Sequence, residues 1–276
     1  MKVMIIAGRD KLPVEAAKSL KKAGHEVHSI VFEDEVAGNL SPLVDQVHRY
    51  RFSLVGAQLN LLKKLEIEKL LFAGKFDKIV LDRKQLKFDM KALLMLAKLK
   101  DRRDDTMMLA IVAEVEKLGI EVISQADVLQ DLLVSEGIYT KAKPTAAQME
   151  DVRFGYRMAK GIAGLDIGQT VIINKKNVVA VEAIEGTDKA IIRAGELLPK
   201  GGFTVVKVEK PKQDKRFDIP VIGMTTLRNM VAAKGAVIAF EADKTFIIDK
   251  EECVAYLNQH NVVFMGYLPE IEDKEG

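Results

Sequence analysis

Residues 3–32 read VMIIAGRDKLPVEAAKSLKKAGHEVHSIVF. The run from Val3 to Gly8 is short and continuously apolar, as expected of a strand covered on both faces. Arg9, Asp10, Lys11 and Leu12 make a polar turn. Pro13 then opens an amphipathic helix, where its missing N–H costs nothing. Gly24 ends that helix, and HEVHSIVF has the composition of a second strand. Strand, turn, helix, strand is the opening of a parallel α/β layer.

The alternation continues outward from this stretch. GAQLNLLKKL (56–65) reads as a helix leading into the strand KLLFAG (69–74). A helix follows from about Asp89 to Leu99. DRRDD (101–105) reads as the capped start of the helix TMMLAIVAEVEKLG, which Gly119 closes, and IEVIS is the next strand. The fold class is therefore α/β, with residues 1–134 forming a Rossmann-like N-terminal domain. Residues 135–164 are expected to be a linker loop (EGIYTKAKPTAA, 136–147) and a helix. Residues 165–276 form a distinct, mixed α/β C-terminal domain. Within it TVIIN and VVAVEA read as a hairpin followed by the helix TDKAIIRAGELL. VIAFE and TFIID read as a second hairpin, followed by DKEECVAYLN with Asp249 and Glu252 in capping-box spacing.

Composition narrows the function. The chain has 276 residues, 48% of them hydrophobic and 30% charged, and a formal net charge of +2. That balance names no nucleic acid partner, and the absence of Trp argues against a base-stacking surface. One cysteine, Cys253, excludes an internal disulfide and fits a reducing cytoplasm. Four histidines without H-x-x-x-H spacing argue against a His-rich metal centre. The opening MKVMIIAG is too short for a signal core or a membrane span.

Three stretches could carry chemistry. In VVAVEAIEGTDKAI (178–191) three acids, Glu182, Glu185 and Asp188, fall where a strand hands over to a helix. Thr187 is a suitable N-cap and Gly186 permits a tight turn. A helix start suits phosphate, and acids beside a phosphate require a cation between them. Magnesium, with its oxygen ligands, meets that need. The plainer reading is a capped helix with solvated acids. GLDIGQT (164–170) brackets Asp166 with glycines and places Gln169 after the second; an ordinary turn is the alternative. KRFDIPVIG (215–223) sets Asp218 between Phe217 and Ile219, as a general base, a metal ligand or a strand-edge acid satisfied by backbone. Met90, Met95, Met107 and Met108 read best as core. The glycine-rich dinucleotide fingerprint, the Walker pattern, G-x-S-x-G, H-E-x-x-H and the acidic Nudix helix are all absent.

These motifs together resemble a known family. IIAG followed by LPVE, FAG at 72–74, GLDIGQTVIINKKNVVAVEAIEGTDKAI (164–191) and FDIPVIGMTTL (217–227) are similar to the UDP-2,3-diacylglucosamine diphosphatase of lipid A synthesis that is unrelated to calcineurin-like phosphoesterases. The resemblance implies magnesium-dependent hydrolysis of that diphosphate to UMP and lipid X. It implies a homodimer with domain exchange, and a lipid-linked UDP-sugar substrate met in the cytoplasm or at the inner membrane. It assigns Asp218, Asp188 and Glu185 as catalytic and metal-binding residues. Gly8, Lys141, Asp166, Gln169, Gly186 and Thr187 become substrate-binding residues. The alternative class is a nucleotide-sugar or dinucleotide binding protein or oxidoreductase built on the Rossmann-like half.

Overall fold

The structure is a computed structural model, and it describes residues 1–76, 88–99, 104–211 and 213–269. Arg102 and Arg103, with the side chains of Asp104 and Asp105 expected to cap that helix, lie outside the described residues. The chain divides into two compact units, residues 1–130 with 215–217, and residues 131–214 with 218–276.

The front unit contains β1 (Lys2–Ala7), α1 (Leu12–Lys22), β2 (Glu26–Val31), α2 (Asp34–Leu40), β3 (Gln46–Arg49), α3 (Val55–Lys64), β4 (Lys69–Ala73), α4 (Met90–Lys98), α5 (Asp104–Glu116), β5 (Glu121–Val122) and α6 (Gln125–Val128). Its strands run parallel in the order β3-β2-β1-β4-β5. This is the order expected of a Rossmann-like sheet, with the switch point between β1 and β4. Val3, Met4, Ile5, Leu70 and Leu71 are fully buried, which is why these strands read as unbroken apolar runs. Met108 belongs to the core and Met95 packs against it, but Met90 is 71% exposed and is not a core residue.

At the switch point Gly8 N–H donates to the Ala73 carbonyl, and Arg9 and Lys75 exchange backbone bonds. A Cβ on Gly8 would stand 2.5 Å from the Lys75 carbonyl oxygen. The close approach of two strand ends thus accounts for this glycine without any ligand. Asp10 accepts from Leu12 N–H at the start of α1, and burial raises its carboxyl pKa.

The rear unit contains β6 (Gly137–Ile138), α7 (Ala146–Gly164), β7 (Thr170–Asn174), β8 (Asn177–Val181), α8 (Thr187–Leu197), β9 (Thr204–Lys207), β10 (Val221–Ile222), α9 (Met224–Ala232), β11 (Val237–Glu241), β12 (Phe246–Ile247), α10 (Lys250–Gln259) and β13 (Val263–Tyr267). Residues 135–164 are therefore part of this unit, with α7 capped by a Thr145–Gln148 capping box. The main sheet has the order β6-β13-β11-β9-β7-β8, with β9, β11 and β13 parallel and β6 and β7 antiparallel to their neighbours. The β7–β8 hairpin forms as expected. Its turn residues Lys175 and Lys176 have φ of 50° and 59°, and their N–H groups donate to the buried Asp151 carboxylate.

The second expected hairpin does not form. β11 pairs in parallel with β9 and β13, whereas β12 pairs in parallel with β10. All five residues of β11 are buried, so VIAFE is a central strand rather than a hairpin arm. The connection after β11 is held instead by bonds between Val134 and both Asp243 and Thr245. Nor does the capping box at α10 form: Asp249 is left-handed, with φ 54°, and its side chain does not cap the helix.

Candidate active site at the carboxyl edge of the rear sheet

The register fixes which residues share an edge. Thr170 opens β7 opposite Lys207, the last residue of β9. Val181 closes β8 opposite Val171, and Glu182 N–H continues the ladder to the Thr170 carbonyl at 2.9 Å. Gln169, Thr170, Glu182, the start of α8 and Lys207 are thus gathered at the carboxyl end of the parallel strands. Ligands of α/β sheets are bound at such ends. Gly168 makes the packing possible, because a Cβ there would lie 2.0 Å from the Glu182 carbonyl oxygen.

The centre of this edge is a buried charged cluster. Glu182 and Lys207 are only 9% and 6% exposed. The Thr187 hydroxyl donates to Glu182 Oε1 at 2.8 Å, and Lys207 Nζ donates to the Thr187 oxygen at 2.7 Å. Lys207 Nζ lies 3.9 Å from Glu182 Oε2. Burial, the largest influence on Glu182, acts to raise its carboxyl pKa. The Lys207 charge and hydrogen bonds from Thr170, Thr187 and Gln169 outweigh it, so the carboxyl stays below its ordinary value. Glu182 is therefore ionised at neutral pH.

Thr187 differs from the expected role. Gly186, with φ 84°, occupies the cap position of α8, and Thr187 is its first helical residue. Its hydroxyl is committed to Glu182 and Lys207, because a buried carboxylate is a stronger acceptor than free solvent-side geometry can match. The Gly186 N–H is likewise engaged, to the Ala183 carbonyl at 3.2 Å.

Glu185 and Asp188 flank this first turn. Glu185 Oε2 accepts from Ala183 N–H, and Oε1 faces the Arg193 guanidinium at 3.1 Å as an ion pair without hydrogen-bond alignment. Among the described residues, Gln169 Oε1, Glu182 Oε2, Glu185 Oε1 and Asp188 Oδ1 are buried oxygens without a hydrogen-bond partner. Unsatisfied carboxylate oxygens at the mouth of a sheet suit a hard cation. Among the described residues no three His, Cys, Asp or Glu side chains are grouped to hold a metal unaided. Magnesium does not demand this, since it binds through one or two carboxylates together with substrate phosphates and water. Glu185 and Asp188 fit that role; among the described residues Asp218 is not grouped with them as a third metal ligand.

The remaining expected residues are placed differently. Asp166, left-handed at φ 58°, accepts from Lys210 Nζ at 2.8 Å. Asp218 is half-buried in the loop between β9 and β10 rather than on a strand. Lys141 follows β6 near the start of β13, and its N–H donates to Asn258 at the end of α10. That is the amino edge of the sheet, so within this chain Lys141 is not brought to the cluster. Lys207 escaped the sequence reading. Its signal was a single lysine closing the buried strand TVVKV (204–208), and Glu241 likewise closes VIAFE.

Comparisons with known proteins bear on this site. The family model described as the LpxI N-terminal domain matches residues 2–132, and that of the LpxI C-terminal domain matches residues 135–265. A curated relative, the UDP-2,3-diacylglucosamine pyrophosphatase LpxI of Caulobacter vibrioides, is 28% identical over 98% of both chains. A glycinamide-RNase-transformylase T structure from Mycobacterium tuberculosis covers 67% of this chain and 44% of its own. At 12% identity and a TM-score of 0.24, it bears on neither fold nor function. With both family models matched in order along the chain, this protein belongs to the LpxI family.

Proposed function

We propose that this protein hydrolyses the diphosphate of UDP-2,3-diacylglucosamine, releasing UMP and 2,3-diacylglucosamine 1-phosphate in lipid A synthesis. The observation that carries the reading is the family match through both units. The carboxyl edge of the rear sheet supports it chemically. Hydrolysis of a diphosphate requires a water held in line with the broken bond and compensation of charge on the phosphate oxygens. Magnesium, when bound, supplies that compensation.

Asp188, through its buried oxygen without a hydrogen-bond partner, and Glu185, whose Oε1 is paired with Arg193, would hold the cation. Asp218 orients the water and accepts its proton at the carboxylate. The hydroxide equivalent adds to one phosphorus, and the bridging oxygen departs with the other product. Lys207 and the first-turn N–H groups of α8, which have no intrahelical partner, offset phosphate charge. Thr187 acts from within, holding Glu182 and Lys207 together. The same reading makes the protein a domain-exchanging dimer, working in the cytoplasm or on the inner membrane surface where a diacylated substrate resides. None of the described helices is long and apolar enough to cross a membrane.

The test is incubation with UDP-2,3-diacylglucosamine, with magnesium or with excess chelator, following UMP by chromatography. UMP release that depends on magnesium is expected. Intact substrate at every magnesium concentration would reject the reading.

A further inference from the structure

We propose that Gln213 is a positioning residue for Asp218, tying the backbone of Lys210 to the backbone of the acid. The inference rests on the role given to Asp218 above. The loop leaves β9 at the carboxyl edge and is first clamped at its base. Val208 N–H donates to the Gln169 carbonyl at 3.0 Å. Glu209 is gripped on both sides. Its N–H donates to Glu241 Oε2 at 2.8 Å, and its carbonyl accepts from Lys160 Nζ at 3.1 Å. Lys160 also bonds both Glu241 oxygens, and the Tyr156 hydroxyl donates to Oε1 at 3.2 Å. This base is a satisfied, largely buried network, the kind that fixes one conformation.

Among the described residues beyond the base, the Lys215 carbonyl accepts from Gln125 N–H at 3.0 Å and from the Ser124 hydroxyl at 3.2 Å, and Gln213 braces Asp218. Its Oε1 accepts from Lys210 N–H at 2.9 Å. Its Nε2 donates to the Asp218 carbonyl oxygen. One side-chain amide thereby ties the start of the loop to the backbone of the acid itself. Asp218 N–H closes the turn on the Asp214 carbonyl at 3.0 Å, and the Lys210 ammonium reaches Asp166 in the GLDIGQT turn. The side-chain amide carries both the acceptor for Lys210 and the donor for Asp218. Glutamate at this position keeps the acceptor and loses the donor; leucine loses both. A loop acid misplaced by a fraction of an ångström loses rate while substrate binding is kept.

The experiment compares wild type, Gln213→Leu and Gln213→Glu in the magnesium-supplemented UMP assay, with thermal unfolding and limited trypsin digestion alongside. The proposal expects kcat to fall on the order of 10- to 100-fold in both variants, with KM for UDP-2,3-diacylglucosamine within about twofold. It expects Tm to be retained and trypsin to cut faster after Lys215 and Arg216. Wild-type kcat in Gln213→Leu overturns it. So does a loss of kcat that only parallels a fall in Tm, because Gln213 would then serve the fold at large. Should wild type release no UMP, the functional reading fails, and digestion alone decides. Faster cutting of the variants keeps Gln213 as the brace of the loop; equal cutting removes it.

Discussion

Both units expose the carboxyl ends of parallel strands, yet the two edges are built from different materials. In the front unit β1 and β4 end in backbone contacts, Gly8 to Ala73 and Arg9 to Lys75. The cavity behind them is apolar, about 30 Å³, and lined by residues such as Phe32, Phe52, Leu59 and Phe72. The Arg9–Glu33 and Arg49–Asp34 ion pairs described at this edge are exposed on both sides. In the rear unit the edge contains Glu182, Lys207, Lys160 and Glu241, all paired, with unpartnered oxygens beside them. Taking charges out of water costs several kcal/mol per ion, of order 5, and a fold retains such groups where chemistry needs them. On the proposed function, the contrast favours the rear edge as the place of reaction and the front edge as scaffold.

The largest test of this contrast is Asp218→Asn. It is expected to lower kcat by about 10²–10⁴-fold with Tm unchanged. Turnover near wild type would take Asp218 out of the reaction. Next comes Lys207→Met, which strands the buried Glu182 carboxylate and is expected to cost about 3–5 kcal/mol. Denaturant unfolding of the Glu182→Gln/Lys207→Met double variant should recover much of that loss; equal costs for single and double would deny the coupling. Gly168→Ala forces a methyl against the Glu182 carbonyl and should cost about 1–3 kcal/mol, read by the same unfolding.

Acid titration probes Glu182 more finely. Its pKa is lower in the folded chain than its ordinary value. Its contribution to stability is therefore complete above the ordinary glutamate value and lost as pH falls through the lowered one. Glu182→Gln should lack that component of acid unfolding, and an identical acid profile would contradict the pairing. The smallest effect is expected at the front edge. Arg9→Ala breaks an exposed pair and should change stability by less than about 1 kcal/mol. A raised KM in this variant would bring the front edge into substrate binding and soften the contrast.

The front unit was legible because its sequence obeys one rule. Buried parallel strands are unbroken apolar runs, and helices between them carry their own signals at Pro13 and Gly24. The rear unit breaks that rule in two places. VIAFE and TFIID lie as close in sequence as hairpin arms, but full burial of β11 draws it between two parallel neighbours. Asp249 matches a capping box, but its left-handed backbone turns the side chain away from the helix end. At the candidate site, the gathering of the acids of VEAIEGTD at a strand-to-helix turn was legible from spacing, while their proposed role came from the family resemblance. Their partner was not. Lys207 lies far along the chain, and only the pairing of β7 with β9 brings it opposite Thr170. Lys141 shows the reverse case, a motif residue that the register carries to the other end of the sheet.

The most direct test of the central claim is manganese binding, followed by electron paramagnetic resonance in the presence of UMP, for wild type and for Asp188→Asn and Glu185→Gln. The rear edge as cation site predicts saturable binding in wild type, weakened at least about tenfold in each variant while the fold is kept. Equal manganese affinity in all three proteins would contradict it.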